Sequence, residues 1–171
     1  MIAIAGKSGS GKTTLLERLI PVLKNRGHRL GTVKHAHKKF ELDKKGKDSW
    51  RHRQAGAHAT LVVSPDTIAL VKDRETDSLR SLTPYLSDMD LIIVEGFKRE
   101  TMPKIEIFRT DSKHKEPLCL EDPDLVAFVT DSRHTPAVPT FGLDDIDALA
   151  DFIEADFILT EEIPLNQERT N

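Results

Sequence analysis

Gly6-Lys7-Ser8-Gly9-Ser10-Gly11-Lys12-Thr13 fits the pattern G-x-x-x-x-G-K-[ST]. Glycines at those positions let the backbone curl until successive N–H groups point at one centre, a cradle for phosphate oxygens. A helix that opens near Lys12 adds the partial positive charge of its N-terminus. In such a loop Lys12 reaches the β- and γ-phosphates and the Thr13 hydroxyl ligates Mg²⁺. The bare pattern also arises in glycine-rich turns that bind nothing, so its context matters. Ile2 to Ala5, just before it, is a short apolar run that reads as a buried strand. After it, Leu15, Leu16, Leu19, Ile20 and Leu23 recur at helical spacing, and Gly27 marks a stop. Strand, glycine-rich turn and amphipathic helix form a P-loop, which predicts a purine nucleoside triphosphate bound with Mg²⁺. Pro21 inside the helical pattern predicts a kink or a local break.

Outward from the loop, apolar runs continue. Arg29 to Lys34 reads as a second strand, and Asp48 as the cap of a short helix through Gln54 that ends at Gly56. Thr60–Val63 and Thr67–Val71 are β-rich runs separated by Ser64, Pro65 and Asp66, a hairpin signal. Leu79, Leu82 and Leu86 mark a helix with Pro84 as an irregularity. Leu91–Val94, Ile105–Phe108 and Val126–Val129 read as strands, Pro139–Phe141 as an edge strand, and Ile146, Leu149, Phe152 and Ile153 as the stripe of a last helix. The alternation predicts an α/β, three-layer P-loop NTPase fold: a mostly parallel sheet with helices on its faces and an added antiparallel hairpin. One nucleotide-binding domain is expected over residues 1–160, with a frayed tail at 161–171.

Asp90-Leu-Ile-Ile-Val-Glu95-Gly96 carries an acid to the carboxyl edge of the sheet, where ligands of such folds sit. An acid there helps hold the Mg²⁺ shell or orients a water. In an unbroken strand Asp90 and Glu95 stand about 16 Å apart, too far to share a metal. Glu95 is therefore assigned to Mg²⁺ and Asp90 to the start of the strand; two solvated charges flanking a core strand is the plainer reading.

Lys34 to Arg53 carries eight basic residues against Glu41, Asp43 and Asp48. Lys34-His35-Ala36-His37 follows the second strand, so Lys34 and His35 are candidates to touch phosphate or a second anionic ligand. Asp43 in the same loop is a candidate magnesium acid. A solvated charge run is the alternative. His35, His37 and His52 as a metal site is a weak signal without cysteine. Trp50, the only tryptophan, stacks on a ligand or packs on the domain.

Composition bounds the function classes. Of 171 residues 38% are hydrophobic and 31% charged, too apolar for a disordered chain. A net charge of −3 gives no electrostatic case for nucleic acid. Cys119 is the only cysteine, which fits a reducing compartment. The N-terminus lacks the form of a signal peptide, and no apolar window reaches the roughly 18 residues of a membrane span. A cytoplasmic protein is expected.

Taken together, G-K-S-G-S-G-K-T-T-L-L (6–16), T-V-K-H-A-H (32–37), D-K-K-G-K-D-S-W-R-H-R-Q-A-G-A (43–57), D-L-I-I-V-E-G-F-K (90–98) and K-I-E-I-F-R (104–109) resemble the molybdopterin-guanine dinucleotide biosynthesis protein B family, MobB. The resemblance runs from Ile2 to about Asp131. It implies a homodimeric GTP-binding protein with weak GTPase activity. Such a protein is an adapter in attaching GMP to molybdopterin, beside the molybdenum cofactor guanylyltransferase. By position it implies that Gly9 to Thr14 bind GTP phosphates and that Thr13 and Glu95 serve Mg²⁺. The basic loop would face molybdopterin phosphate or the partner enzyme. Lys7 gives K-x-G-x-G-K-T, which resembles the altered P-loop of dimeric ATPases and GTPases related to signal-recognition and septum-site proteins. There the early lysine reaches the partner subunit's phosphates; a solvent-facing lysine is the other reading. One departure stands out: where GTPases carry N-K-x-D, this chain reads Val129-Thr130-Asp131-Ser132. Asp131 retains the acid that accepts from guanine, while Asn and Lys are missing. A P-loop small-molecule kinase using Arg51 and Arg53, and a nickel-insertion metallochaperone GTPase using His35 and His37, are the competing readings.

Overall fold

Ile2–Ala5 (β1) lies at the centre of the main sheet, and the apolar runs read from the sequence flank it. The computed structural model describes residues 1–36, 43–74, 78–97 and 100–159. Leu30–Lys34 (β2), Leu91–Glu95 (β5), Lys104–Phe108 (β6), Leu125–Thr130 (β7) and Thr140–Phe141 (β8) join β1 in one sheet of order β2-β5-β1-β6-β7-β8. Every pairing in it is parallel. Interior strands of a parallel sheet are buried on both faces and need near-continuous apolar runs, which β1 and β5 supply.

Lys12–Asn25 (α1) and Ile146–Phe157 (α3) pack on one face of this sheet. Leu15, Leu19 and Leu23 of α1 meet Ile146, Leu149 and Ile153 of α3 over Ile2, Ile4, Ile93, Ile105 and Val129. All are nearly inaccessible, so burial of this stripe is the main source of stability. Arg26 and His28, past the end of α1, both bond Glu154 of α3 at 2.5 Å and tie the two helices together. Alternate strand residues face the opposite side, where Val94, Glu106 and Phe128 are equally buried.

The chain forms two compact units: Met1–His35 with the chain from Thr83 onward, and Ala36–Leu82. The second unit holds Asp48–Gln54 (α2) and the antiparallel pair Ala59–Val63 (β3) and Ile68–Lys72 (β4). The predicted hairpin is thus present, as a two-stranded sheet of its own rather than an extension of the main one. Its turn is closed by the Ser64 N–H donating to the Thr67 carbonyl at 2.8 Å, with the Ser64 hydroxyl on Asp66 at 2.7 Å. The pairs Leu61↔Leu70 and Val63↔Ile68 put four apolar side chains on one exposed face.

Local details refine the expectations. Helix α1 runs through Pro21 without a break. Pro21 and Glu17, whose carbonyl loses its helical donor, are both exposed, so the freed acceptor lies on the solvent side of the helix. Asp48 is the first residue of α2 rather than its cap; Lys47 stands at the cap and makes no side-chain bond there. Asp48 instead favours the helix through charge at its first turn. The helix expected at Leu79, Leu82 and Leu86 is present as a 3-10 helix over Leu79–Leu86, and it contains Pro84, which has no N–H for the ladder. Residues 37–42 of the loop expected after β2, with His37, and the tail from residue 160 fall outside the described residues. No helix among the described residues is long and apolar enough to cross a membrane.

Candidate functional site

The loop between β1 and α1 is a curled segment set against β6. Gly6, Gly9 and Gly11 all have positive φ, at 137°, 78° and 99°. At Gly6 the requirement is steric as well: a Cβ would stand 2.6 Å from the Ile107 carbonyl oxygen and 2.5 Å from the Ser10 hydroxyl. Ser10 is 3% exposed, and its N–H donates to the Lys7 carbonyl at 3.2 Å. Gly11 caps α1, so the first N–H groups of the helix face the loop. Lys12 folds back and donates to the Gly6 and Lys7 carbonyls, both at 3.0 Å. Ser8, Gly9, Thr13 and Thr14 are exposed around this cradle. Curled backbone, helix N-terminus and lysine together give the geometry of a phosphate-type loop, an arrangement suited to an anion.

Glu95 ends β5 beside it. The registers Ile4↔Glu95 and Lys34↔Glu95 set this carboxylate between the ends of β1 and β2. Lys34 pairs with it at 3.2 Å, so the structure joins two predicted site residues to each other. The corner is tight. The His35 N–H donates to the Glu95 carbonyl at 2.8 Å. A Cβ on Gly96, at φ 106°, would come within 2.6 Å of the His35 Cβ. The His35 ring lies on Phe97 with centroids 4.6 Å apart, and Phe97 itself takes φ 47°, a left-handed conformation uncommon for an aromatic residue. Asp90, at the opposite end of β5, accepts from the Arg29 N–H at 2.5 Å and anchors the start of the strand, as its assignment required.

Asp131 follows β7. One of its oxygens accepts from the Thr110 N–H at 2.7 Å and the other from the Thr110 hydroxyl at 3.1 Å. The backbone bond is the main cause that holds its carboxyl below the ordinary aspartate value. Asp131 thus clamps the ends of β6 and β7 together. A cavity of about 490 Å³ opens at these two strand ends, lined by Phe108, Thr110, His114, Lys115, Arg133 and His134. Asp43 belongs to the second unit, where it accepts from the Ser49 hydroxyl at 2.7 Å. Among the described residues no three His, Cys, Asp or Glu side chains gather as a metal-binding group.

Three residues escaped the sequence reading. Glu106 in β6 is 1% exposed and accepts from the Leu118 and Cys119 N–H groups at 2.5 and 2.8 Å. It thereby straps the loop after β6 across the sheet. Burial holds its carboxyl above the usual glutamate value, against the pull of the two N–H donors and of Lys7. Lys7 donates to the Glu116 carbonyl of the same loop at 2.7 Å, so its ammonium is held within its own chain. Lys104, also in β6, is 5% exposed and bridges Asp122 and Asp124 at 3.0 and 3.1 Å. Arg109, one residue past β6, lies against Gly11 of the loop. The signal for Glu106 and Lys104 is present but easily misread: Lys-Ile-Glu-Ile-Phe alternates, as a strand with one wet face does. Only the position of β6 inside the parallel sheet turns both polar residues inward.

Comparison with known proteins gives the family. The family described as Molybdopterin guanine dinucleotide synthesis protein B matches residues 1–131. The "Molybdopterin-guanine dinucleotide biosynthesis adapter protein" of Escherichia coli (strain K12) is 40% identical over 158 residues, covering 90% of each chain. That of Haemophilus influenzae is 38% identical, covering 90% of this chain and 87% of its own. Among solved structures, the crystal structure of molybdopterin-guanine biosynthesis protein B (mobB) superposes with a TM-score of 0.69 at 29% identity. It covers 90% of this chain and 96% of that one. The crystal structure of Bacillus subtilis MobB gives 0.70 at 26%, with 90% and 95% covered. With the phosphate-type loop, the parallel sheet and the separate hairpin all in place, the chain belongs to the MobB family.

Proposed function

We propose that this chain is a GTP-binding adapter that assists the attachment of GMP to molybdopterin in the cytoplasm, hydrolysing GTP slowly with Mg²⁺. The observation that carries the reading is the loop itself: three left-handed glycines, Lys12 turned into the curl, and Glu95 at the adjoining strand end. Gly6 to Thr14 hold the phosphates, with Lys12 neutralising charge that develops at the γ-phosphate. Thr13 and Glu95 fit Mg²⁺: a hydroxyl and a carboxylate are hard oxygen donors, and this ion keeps most of its waters. Lys34 is then free to move from Glu95 towards phosphate. The relatives' names place them in biosynthesis of a guanine dinucleotide, which is the support for guanine. The cavity beside Asp131 is of a size to receive the nucleoside. Molybdopterin and the guanylyltransferase are the partners this role requires. The exposed face of Leu61, Val63, Ile68 and Leu70 supports a homodimer built through the hairpin.

Titration of GTP and ATP in the presence of Mg²⁺ tests the proposal. GTP binds more tightly, and Lys12→Ala weakens it by at least about 100-fold, the scale of a lost set of charge-assisted phosphate bonds. Equal binding by Lys12→Ala removes the phosphate-loop assignment, and tighter ATP binding removes the choice of guanine. Co-purification with the guanylyltransferase checks the adapter role.

A further inference from the structure

Arg109 is set against the phosphate-type loop, and the proposed function gives it no role. A Cβ built on Gly11 would meet its Cδ at 3.1 Å and its Nη1 at 4.0 Å. Its aliphatic stem therefore crosses the residue that caps α1, and its guanidinium stands beside the helix N-terminus. The register Ala5↔Glu106 between β1 and β6 brings it there, because the strand that precedes the loop and the strand that precedes Arg109 run side by side. Two features show how the side chain is held. Its Nη2 donates to Asp111 at 2.7 Å, and Asp111 is 65% exposed. Its Nε–H is buried and has no hydrogen-bond partner. A guanidinium has five donors in a fixed fork suited to phosphate or carboxylate; this one spends a single N–H on a solvent-exposed acid. Exposed pairs of that kind are weak, whereas bidentate Arg–phosphate contacts are strong.

We propose that Arg109 is a phosphate-contacting residue of the loop, held by Asp111 and handed over to the phosphate oxygens when a nucleoside triphosphate binds. This rests on the triphosphate reading. The stem remains on Gly11 while the fork turns from Asp111 to the ligand, so Asp111 competes with phosphate for the same cation. Two consequences follow. Loss of Arg109 weakens triphosphate binding, and loss of the Asp111 charge strengthens it, but only while Arg109 is present.

The experiment measures Mg²⁺–GTP and Mg²⁺–ATP affinity of the full chain by calorimetry, for wild type, Arg109→Ala, Arg109→Lys, Asp111→Asn and the Arg109→Ala/Asp111→Asn double variant. Thermal melts confirm that each is folded. The expected result is a loss of about 10–100-fold in Arg109→Ala, as for a charged hydrogen bond, and a smaller loss in Arg109→Lys, which keeps the charge without the fork. Asp111→Asn gains several-fold, and the gain disappears in the double variant. A merely structural Arg109 would not make the effect of Asp111→Asn depend on it. If Arg109→Ala fails to fold, Arg109→Lys and Asp111→Asn still decide: unchanged affinity in both overturns the proposal. So does wild-type affinity in Arg109→Ala, or a gain from Asp111→Asn that survives in the double variant. Wild type binding no triphosphate overturns the parent reading, and this proposal with it; wild type binding while Arg109 proves indifferent overturns this one alone.

Discussion

Glu106→Gln tests whether a buried acid organises the loop beside the phosphate site. The carboxylate is 1% exposed and accepts two backbone N–H groups, one on each oxygen. An amide accepts through a single oxygen and turns its NH₂ towards the second donor. One N–H then loses its partner, at about 1–3 kcal/mol if it is fully buried. The amide oxygen keeps the Cys119 N–H, the more buried of the two, and gives up that of Leu118, which lies nearer to solvent. Removal of a buried charge offsets part of the loss, because burial is the main cause that raises the Glu106 carboxyl. The expected net destabilisation at pH 7 is therefore at the low end, about 1–2 kcal/mol. In a chain of this size that lowers the melting temperature by roughly 2–8 °C. The pH dependence has a definite sign. A carboxyl raised above its ordinary 4.5 contributes stability that is fully present below pH 4.5 and is lost as pH rises through the native value. Glutamine has no such term, so the gap between wild type and variant is wider at pH 5 than at pH 8. Urea unfolding followed by far-UV circular dichroism at several pH values measures it; Trp50 fluorescence is unsuitable because Trp50 lies in the other unit. A variant as stable as wild type at every pH, or a gap that narrows as pH falls, refutes the reasoning.

Pro21→Ala restores an N–H inside α1 at an exposed position, and proline is about 3 kcal/mol worse than alanine in a helix interior. The freer unfolded chain takes back part of this, so a gain of about 1–2 kcal/mol is expected in the same unfolding assay; a loss would mean that the ring packs favourably where it stands. Val63→Glu with Ile68→Lys places an ion pair at a directly opposed position of the hairpin, which keeps the strands paired while making the face polar. Analytical ultracentrifugation should then show a dimer turned into a monomer, and a wild type already monomeric at micromolar concentration removes the hairpin interface.

What could be read from the sequence divides along a physical line. The strand before the loop, the loop glycines and the helix after it obey local rules, and Ile2–Ala5 and the apolar stripe of α1 stand where their spacing put them. Strand β5 was legible for the same reason, since Leu91–Val94 is apolar throughout. Helix ends and the Leu79–Leu86 segment were less so: a stripe at i, i+3 and i+7 suits an α-helix and a 3-10 turn alike, and Pro84 decides only by removing a donor. Glu106, Lys104 and Arg109 were illegible because their surroundings come from other strands. A charged residue in an alternating run is exposed in an edge hairpin and buried in the middle of a parallel sheet. Asp131 shows the converse: the motif comparison found its position, but its two bonds to Thr110 come from the neighbouring strand end.

The cations around the loop share one arrangement that clarifies how the site would work. Lys7 is held by the Glu116 carbonyl, Lys12 by the carbonyls of Gly6 and Lys7, Lys34 by Glu95 and Arg109 by Asp111. Left unpaired side by side, four positive charges would repel one another and destabilise the curl. Each holder is either a neutral carbonyl or a single carboxylate, and none engages its cation in a two-pronged pair. A triphosphate offers several charged oxygens at once, so it can outbid every holder without any of them having to be buried or strained. The exchange differs among the four. Lys12 leaves the two neutral carbonyls of Gly6 and Lys7. Lys34 leaves a carboxylate, Glu95, which on the proposed function would serve Mg²⁺, so movement of that lysine towards phosphate and arrival of the metal would be parts of one charge rearrangement. Triphosphate and magnesium would on this account bind together more tightly than either alone, through Lys34 and Glu95 rather than through any direct contact between the two ligands.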